Sequence, residues 1–93
     1  GGMAGLGPFI QKNLQYPQMA KEAGLSGKCF LKFVVNENGS ISDVTVLKGV
    51  PGCQECDKEA IRVVKMMPSF KPGKQNGRAV KVFFNLPINF QLR

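Results

Sequence analysis

Cys53-Gln54-Glu55-Cys56 has the spacing at which two thiols exchange a disulfide with a substrate, and Cys29 is the remaining thiol. Three thiolates fall short of the four ligands of a structural zinc site, and the chain has no histidine to complete the set. That absence also removes the commonest general base, and the side chain whose unperturbed pKa lies between about pH 5 and 8. A redox Cys-x-x-Cys normally opens a helix directly after a strand, whereas here Gly49-Val50-Pro51-Gly52 intervenes. A small thiol oxidoreductase using Cys53 and Cys56 is therefore one alternative. Cysteines serving as small buried hydrophobes are the other reading. There are no paired carboxylates in a recognisable site and no phosphate-binding glycine loop. The expectation is no catalytic residue, no metal, no cofactor and no enzymatic activity.

The stretch that suggests a function is the last one, Ala79 to Phe90. Val80, Val82, Phe84, Leu86, Ile88 and Phe90 are apolar, and Lys81, Phe83, Asn85, Pro87 and Asn89 fall between them. Period-two alternation marks a strand with one buried face. Pro87 has no N–H to give to a ladder, which argues for an edge position. An edge strand carries unpaired backbone groups, and these are either blunted or used to take up another chain.

Other elements must position that edge. Pro8 to Leu14 and Pro17 to Ala23 read as two short helical pieces, with Gly24 supplying a positive φ after the second. Lys28 to Val35 is a strand with Cys29, Leu31, Phe33 and Val35 on one face. Asn36 to Gly39 is a turn, and Ser40 to Lys48 a second strand. Ile41 and Val44 have opposite parity in that strand, so a bulge near Ser42-Asp43 is expected. Cys56, Ala60, Val63, Val64 and Met67 form an apolar stripe on a helix from about Gln54 to Met67. Pro68 to Gly73 reads as a stiff connector and Asn76-Gly77 as a turn. The resulting fold class is α+β: two helices packed on one face of a three-stranded antiparallel sheet, strand order 2-1-3. Phe33, Phe84 and Val64 should lie in the core. The opposite face should show Phe30, Val34 and Phe83 among lysines, as an exposed contact surface.

The chain has 93 residues, one domain's worth. Residues 1–8 read as a linker or an expression remnant, and residues 9–93 as the domain. No apolar run is long enough to span a membrane, and no signal peptide is visible. The net charge is +7, from 13 basic and 6 acidic side chains. The basic residues are dispersed, with no Lys/Arg block interleaved with aromatics, so no nucleic-acid partner is expected.

Several short motifs share one order. Tyr16-Pro17-x-x-Ala20 is followed by Gly24-Leu25-Ser26-Gly27 and an apolar strand. Asn38-Gly39, Asp57-Lys58-Glu59-Ala60, Phe70-Lys71-Pro72-Gly73 and Leu86-Pro87-Ile88-Asn89-Phe90 complete the series. In this the chain resembles the TonB C-terminal domain family of Gram-negative bacteria, over residues 9–93. The resemblance implies a periplasmic domain whose parent protein is anchored in the inner membrane. It implies coupling, through missing N-terminal regions, to an ExbB–ExbD motor that draws on the proton motive force. It implies capture of the TonB box of outer-membrane transporters as a strand added to Val80, Lys81, Val82, Phe83, Phe84 and Asn85. In the family the segment before Tyr-Pro also meets the transporter, which here adds Asn13, Leu14, Gln15 and Tyr16. Tyr16 as a packing residue under the sheet is the competing reading. The cysteines are not part of the family pattern, and an oxidising periplasm permits a Cys53–Cys56 disulfide. An open edge also permits a strand-exchanged homodimer. A related alternative is the same fold serving as an interaction module of a different periplasmic sensor or anchored peptidase.

Overall fold

The computed structural model of the chain describes residues 6–67 and 73–91. Helix α1 (Leu6–Asn13) and helix α2 (Gln18–Ala23) are separated by an extended segment that ends at Pro17, φ −59°. The ring of Pro17 disfavours α geometry at Tyr16 and suits the position just before α2. Gly24 closes α2 in the left-handed region at φ 69°, which spares a side chain the clash it would meet there. From Gly24 and Leu25, backbone N–H groups return to Lys21 and Ala20 at 3.2 and 2.9 Å, satisfying the last carbonyls of the helix.

Strand β1 (Gly27–Val35) is central, β2 (Ile41–Lys48) lies on one side, and β5 (Val82–Phe90) on the other, all antiparallel. The expected sheet and its strand order are present, with β5 as the third strand. β1 and β5 pair without interruption from Gly27↔Phe90 to Val35↔Val82. The bulge on β2 falls where the parity change required it. The register shifts between Lys32↔Thr45 and Val34↔Ser42, and Asp43 takes φ 53°. A second irregularity lies between Phe30↔Lys48 and Leu31↔Val46.

Helix α3 (Gln54–Met66) crosses the inner face of the sheet. Its Cys56, Ala60 and Val64 pack with Ala20 of α2, with Cys29, Leu31, Phe33 and Val35 of β1, and with Leu86, Ile88 and Phe90 of β5. Glu55 and Asp57 in its first turn and Lys65 in its last complement the helix dipole. Phe33 and Val64 are fully buried, while Phe84 is half-buried and packs against the core from the rim.

Two features depart from what the sequence predicts, the course of Ala79 to Phe90 and the burial of Val34. The alternation of Ala79 to Phe90 is not one strand: β4 (Arg78–Val80) pairs with β3 (Gly73–Gln75) in a separate hairpin, and Lys81 lies between β4 and β5. Asn76 and Gly77 turn that hairpin at φ 53° and 76°, the two left-handed positions of a tight two-residue turn. The expected connector over residues 68–72 lies outside the described residues. Val34, expected among the exposed residues, is only 5% exposed. It sits on the central strand, between Ser42 of β2 and Phe83 of β5, where a strand on each side leaves less open surface than at an edge.

Candidate functional site

β5 is an edge strand of the three-stranded sheet, so one side of its backbone faces β1 and the other faces away from the sheet. In an antiparallel ladder a residue turns its N–H and C=O to the same neighbour, and the next residue turns to the other side. Asn36, directly after β1, donates its N–H to the carbonyl of Ser40 on the β2 side at 2.8 Å. Along β1 the even-numbered residues therefore face β2, and Val35, Phe33, Leu31 and Cys29 face β5. Their register partners, Val82, Phe84, Leu86 and Ile88, are the inward-bonded residues of β5. Phe83, Asn85, Pro87 and Asn89 consequently turn their backbone away from β1. Pro87 agrees with this independently. It lies opposite Phe30 in the register, and facing outward its missing N–H costs the ladder nothing.

The outward row thus has donors at Phe83, Asn85 and Asn89 and a gap at Pro87. No strand lies beyond β5 in the sheet among the described residues. Side chains alternate at right angles to this row. Phe83, Asn85, Pro87 and Asn89 are exposed, and burial deepens along the inner face from half-buried Val82 and Phe84 to buried Leu86, Ile88 and Phe90. Cover from the helices is thus thinnest over the Val82–Phe84 end.

The expected site residues fall into two groups. Val82, Phe83, Phe84 and Asn85 lie together on β5. Val80 belongs to β4, opposite Gly73, and exposed Lys81 links the two strands. Asn13, Leu14, Gln15 and Tyr16 lie at the other end of β5, because the Tyr16 ring meets Phe90 edge-on, centroids 5.6 Å apart and planes at 89°. By its rise per residue β5 is about 27 Å long. The structure therefore does not bring the two groups into one patch; it sets them at opposite ends of one strand. The Tyr16 hydroxyl donates to the carbonyl of Leu25.

What holds the Asn13–Tyr16 segment was not visible in the sequence. Glu59 of α3 accepts the backbone N–H of Gln15 at 2.7 Å, across 44 positions of chain. Arg62 pairs with Glu59 at 2.6 Å and donates to the carbonyl of Asn13 at 3.0 Å. Burial alone would push the Glu59 carboxyl up. The hydrogen bonds from Arg62 and from the Gln15 backbone, with the Arg62 charge, outweigh it and hold the group below its ordinary value.

The thiols are enclosed. Cys53 and Cys56 are joined by a disulfide, with Cα atoms 5.3 Å apart, and both are at most 1% exposed. Cys53 precedes α3, and its sulfur accepts the N–H of Cys56 at 3.0 Å. Cys29 is fully buried. Burial, and then Asp57 through its charge and a hydrogen bond, push its pKa to about 12. Asp57 also accepts the N–H of Val50 at 2.9 Å. Burial to this degree contrasts with the partly exposed cysteines of thiol–disulfide exchange. No cluster of His, Cys, Asp and Glu able to hold a metal occurs among the described residues, and no helix there is long and apolar enough to cross a membrane.

Residues 12–92 match the family described as Gram-negative bacterial TonB protein C-terminal. Among solved structures the chain is similar to two solution structures of the Helicobacter pylori TonB C-terminal domain. The longer fragment has a TM-score of 0.74 at 21% identity, over 97% of this chain and 79% of that one. The shorter has a TM-score of 0.70 at 22% identity, over 95% and 90%. The Pseudomonas aeruginosa TonB C-terminal domain gives a TM-score of 0.64 at 28% identity, over 84% and 77%. Curated proteins give no match.

Proposed function

This chain belongs to the Gram-negative bacterial TonB protein C-terminal family, a non-catalytic periplasmic family of transport and energy transduction, and from that premise we propose that it captures the TonB box of outer-membrane transporters by strand addition to β5. The outward backbone row of β5, with donors at Phe83 and Asn85, is the observation that supports this reading. An extended segment draws its affinity from such a row, and alternate side chains tune it. The gap at Pro87 divides the edge. The Val82–Leu86 half offers an unbroken ladder, so the captured segment is held most firmly there. It then continues toward Phe90, where Asn13, Leu14, Gln15 and Tyr16 extend the contact. The parent protein is anchored in the inner membrane and meets the ExbB–ExbD motor through regions outside these residues. Force from that motor reaches the transporter through the β5 ladder. The same edge serves a homodimer when no transporter segment occupies it.

Isothermal titration with a synthetic transporter N-terminal peptide tests the reading, using domains carrying N-methyl groups on chosen β5 nitrogens. Methylation at Phe83 or Asn85 should abolish capture and leave the melting temperature unchanged. Methylation at Phe84 or Leu86 should lower the melting temperature by breaking the β1 ladder. If the Phe83 and Asn85 variants bind as tightly as the unmodified domain, β5 is not the docking edge.

A further inference from the structure

The sheet has a second, helix-free face, and its composition differs sharply from that of the rest of the molecule. Register places its side chains in rows across the three strands. Lys28 lies beside Asn89, and Phe30 lies between Lys48 and Pro87. Lys32 lies between Thr45 and Asn85, and Val34 between Ser42 and Phe83. Three lysines and two exposed phenylalanines therefore share one face, Phe83 being 70% exposed and Phe30 38%. None of the residues in these rows is a carboxylate. Of the 6 acidic residues, Glu22 lies on α2 and Glu55, Asp57 and Glu59 on α3, all on helices that cover the opposite side. Glu37 lies in the β1–β2 turn and Asp43 at the β2 bulge. On the helices these four carboxylates stand beside Lys12, Lys21, Lys58, Arg62 and Lys65, whereas in the rows of the bare sheet face the charged side chains are all lysines.

We infer that this face docks on an anionic phospholipid surface. Charge complementarity selects an anionic partner, since the three lysines meet no carboxylate in their own rows. The form of the face selects a plane of headgroups. Lysines, as compact point charges without the planar fork of arginine, suit diffuse phosphate charge. Phe30 and Phe83 stand among them as apolar groups able to enter the boundary between headgroups and acyl chains. The lysines and aromatics are laid out across a sheet surface, whereas a peptide partner is usually held in a groove or along an edge. Two recesses among the described residues run along α3, on the other side of the sheet. The β5 edge stays available during docking, because its backbone row points sideways from the face. The inference stands whether or not β5 takes up a transporter segment.

The sequence contains no tryptophan, so Phe83→Trp places a single fluorescent reporter on the face. Its emission should shift to the blue on adding vesicles of phosphatidylcholine with phosphatidylglycerol, and should not shift with phosphatidylcholine alone. Neutralising two lysines in that background, Lys32→Gln with Lys48→Gln, should weaken vesicle binding about thirtyfold. Raising salt from about 0.1 to 0.5 M should weaken it as well, as the Debye length shrinks. Both lysines are exposed, so circular dichroism should be unchanged in the variant. If the indole emission of the Phe83→Trp domain stays unshifted with anionic vesicles, the inference is overturned. Binding that ignores the lysine substitutions overturns it too. A blue shift with soluble polyglutamate equal to that with vesicles also overturns it, and assigns the face to an acidic polypeptide instead.

Discussion

Phe33 of β1 and Phe84 of β5 stack across one rung of the sheet, ring centroids 5.6 Å apart and planes inclined by 23°. The rung is one in which both residues turn their backbones toward each other. Ring and ladder therefore fix the same register, at the end of β5 where the helices cover least.

Truncating Phe84 to Ala should cost about 2–3 kcal/mol, less than the ~3–5 kcal/mol typical of a fully buried Phe, because its ring is half-buried. Phe33→Ala should reach that higher range, since Phe33 is fully buried. A double-mutant cycle by urea unfolding should return about 0.5–1.5 kcal/mol of coupling. A coupling near zero would mean that the rings do not stack in solution.

Glu59 should make part of the stability depend on acid. Its folded pKa is lowered, so its contribution is fully present above the ordinary value of 4.5 and is lost as pH falls through the lower folded pKa. Glu59→Gln should cost about 1 kcal/mol at neutral pH. It should also flatten the fall of the melting temperature below about pH 4.5. Thermal melts of both proteins between about pH 2 and 7 check this, and identical slopes would contradict it.

The Tyr16 hydroxyl serves the fold through the Leu25 carbonyl. Tyr16→Phe should lose about 1–2 kcal/mol of stability while keeping the edge-on contact with Phe90. Peptide capture, measured by titration well below the melting temperature, should be unchanged. A loss of affinity of about tenfold, or ~1.4 kcal/mol, would instead assign the hydroxyl to the partner.

The cysteines can be counted. Unfolded without reductant, the chain should present about one reactive thiol, Cys29, with Cys53 and Cys56 bridged. In the folded state Cys29 should resist alkylation at neutral pH, because it is buried and its pKa is about 12. The bridge closes only a short loop, so reducing it should cost about 2 kcal/mol. If all the cysteines react in the unfolded, unreduced chain, the bridge does not form.

Much of the architecture was legible because burial imprints a period on the sequence. Cys29 to Val35 alternates at two and Cys56 to Val64 recurs at three and four, so strand, helix and inward faces could be assigned from side chains alone. Gly24, Asn76 and Gly77 announced themselves through a backbone geometry that few other residues adopt without strain. The β2 bulge was legible from the clash in parity between Ile41 and Val44.

Other features have no periodic signature. Val80 and Val82 keep the same parity, so alternation runs on through Lys81 where the pairing breaks, and only the partner strand Gly73–Gln75 reveals the hairpin. The clasp of Glu59 on Gln15 and of Arg62 on Asn13 spans 44 and 49 positions, and nothing in a Glu–Arg pair on one helix says which distant backbone it will meet. The outward row of β5 was hidden for a geometric reason. Side chains stand perpendicular to the sheet and hydrogen bonds lie within it, so a pattern of burial is silent on which backbone groups face a partner. The β1–β5 register and the bond from Asn36 to Ser40 decided that the outward donors are Phe83, Asn85 and Asn89.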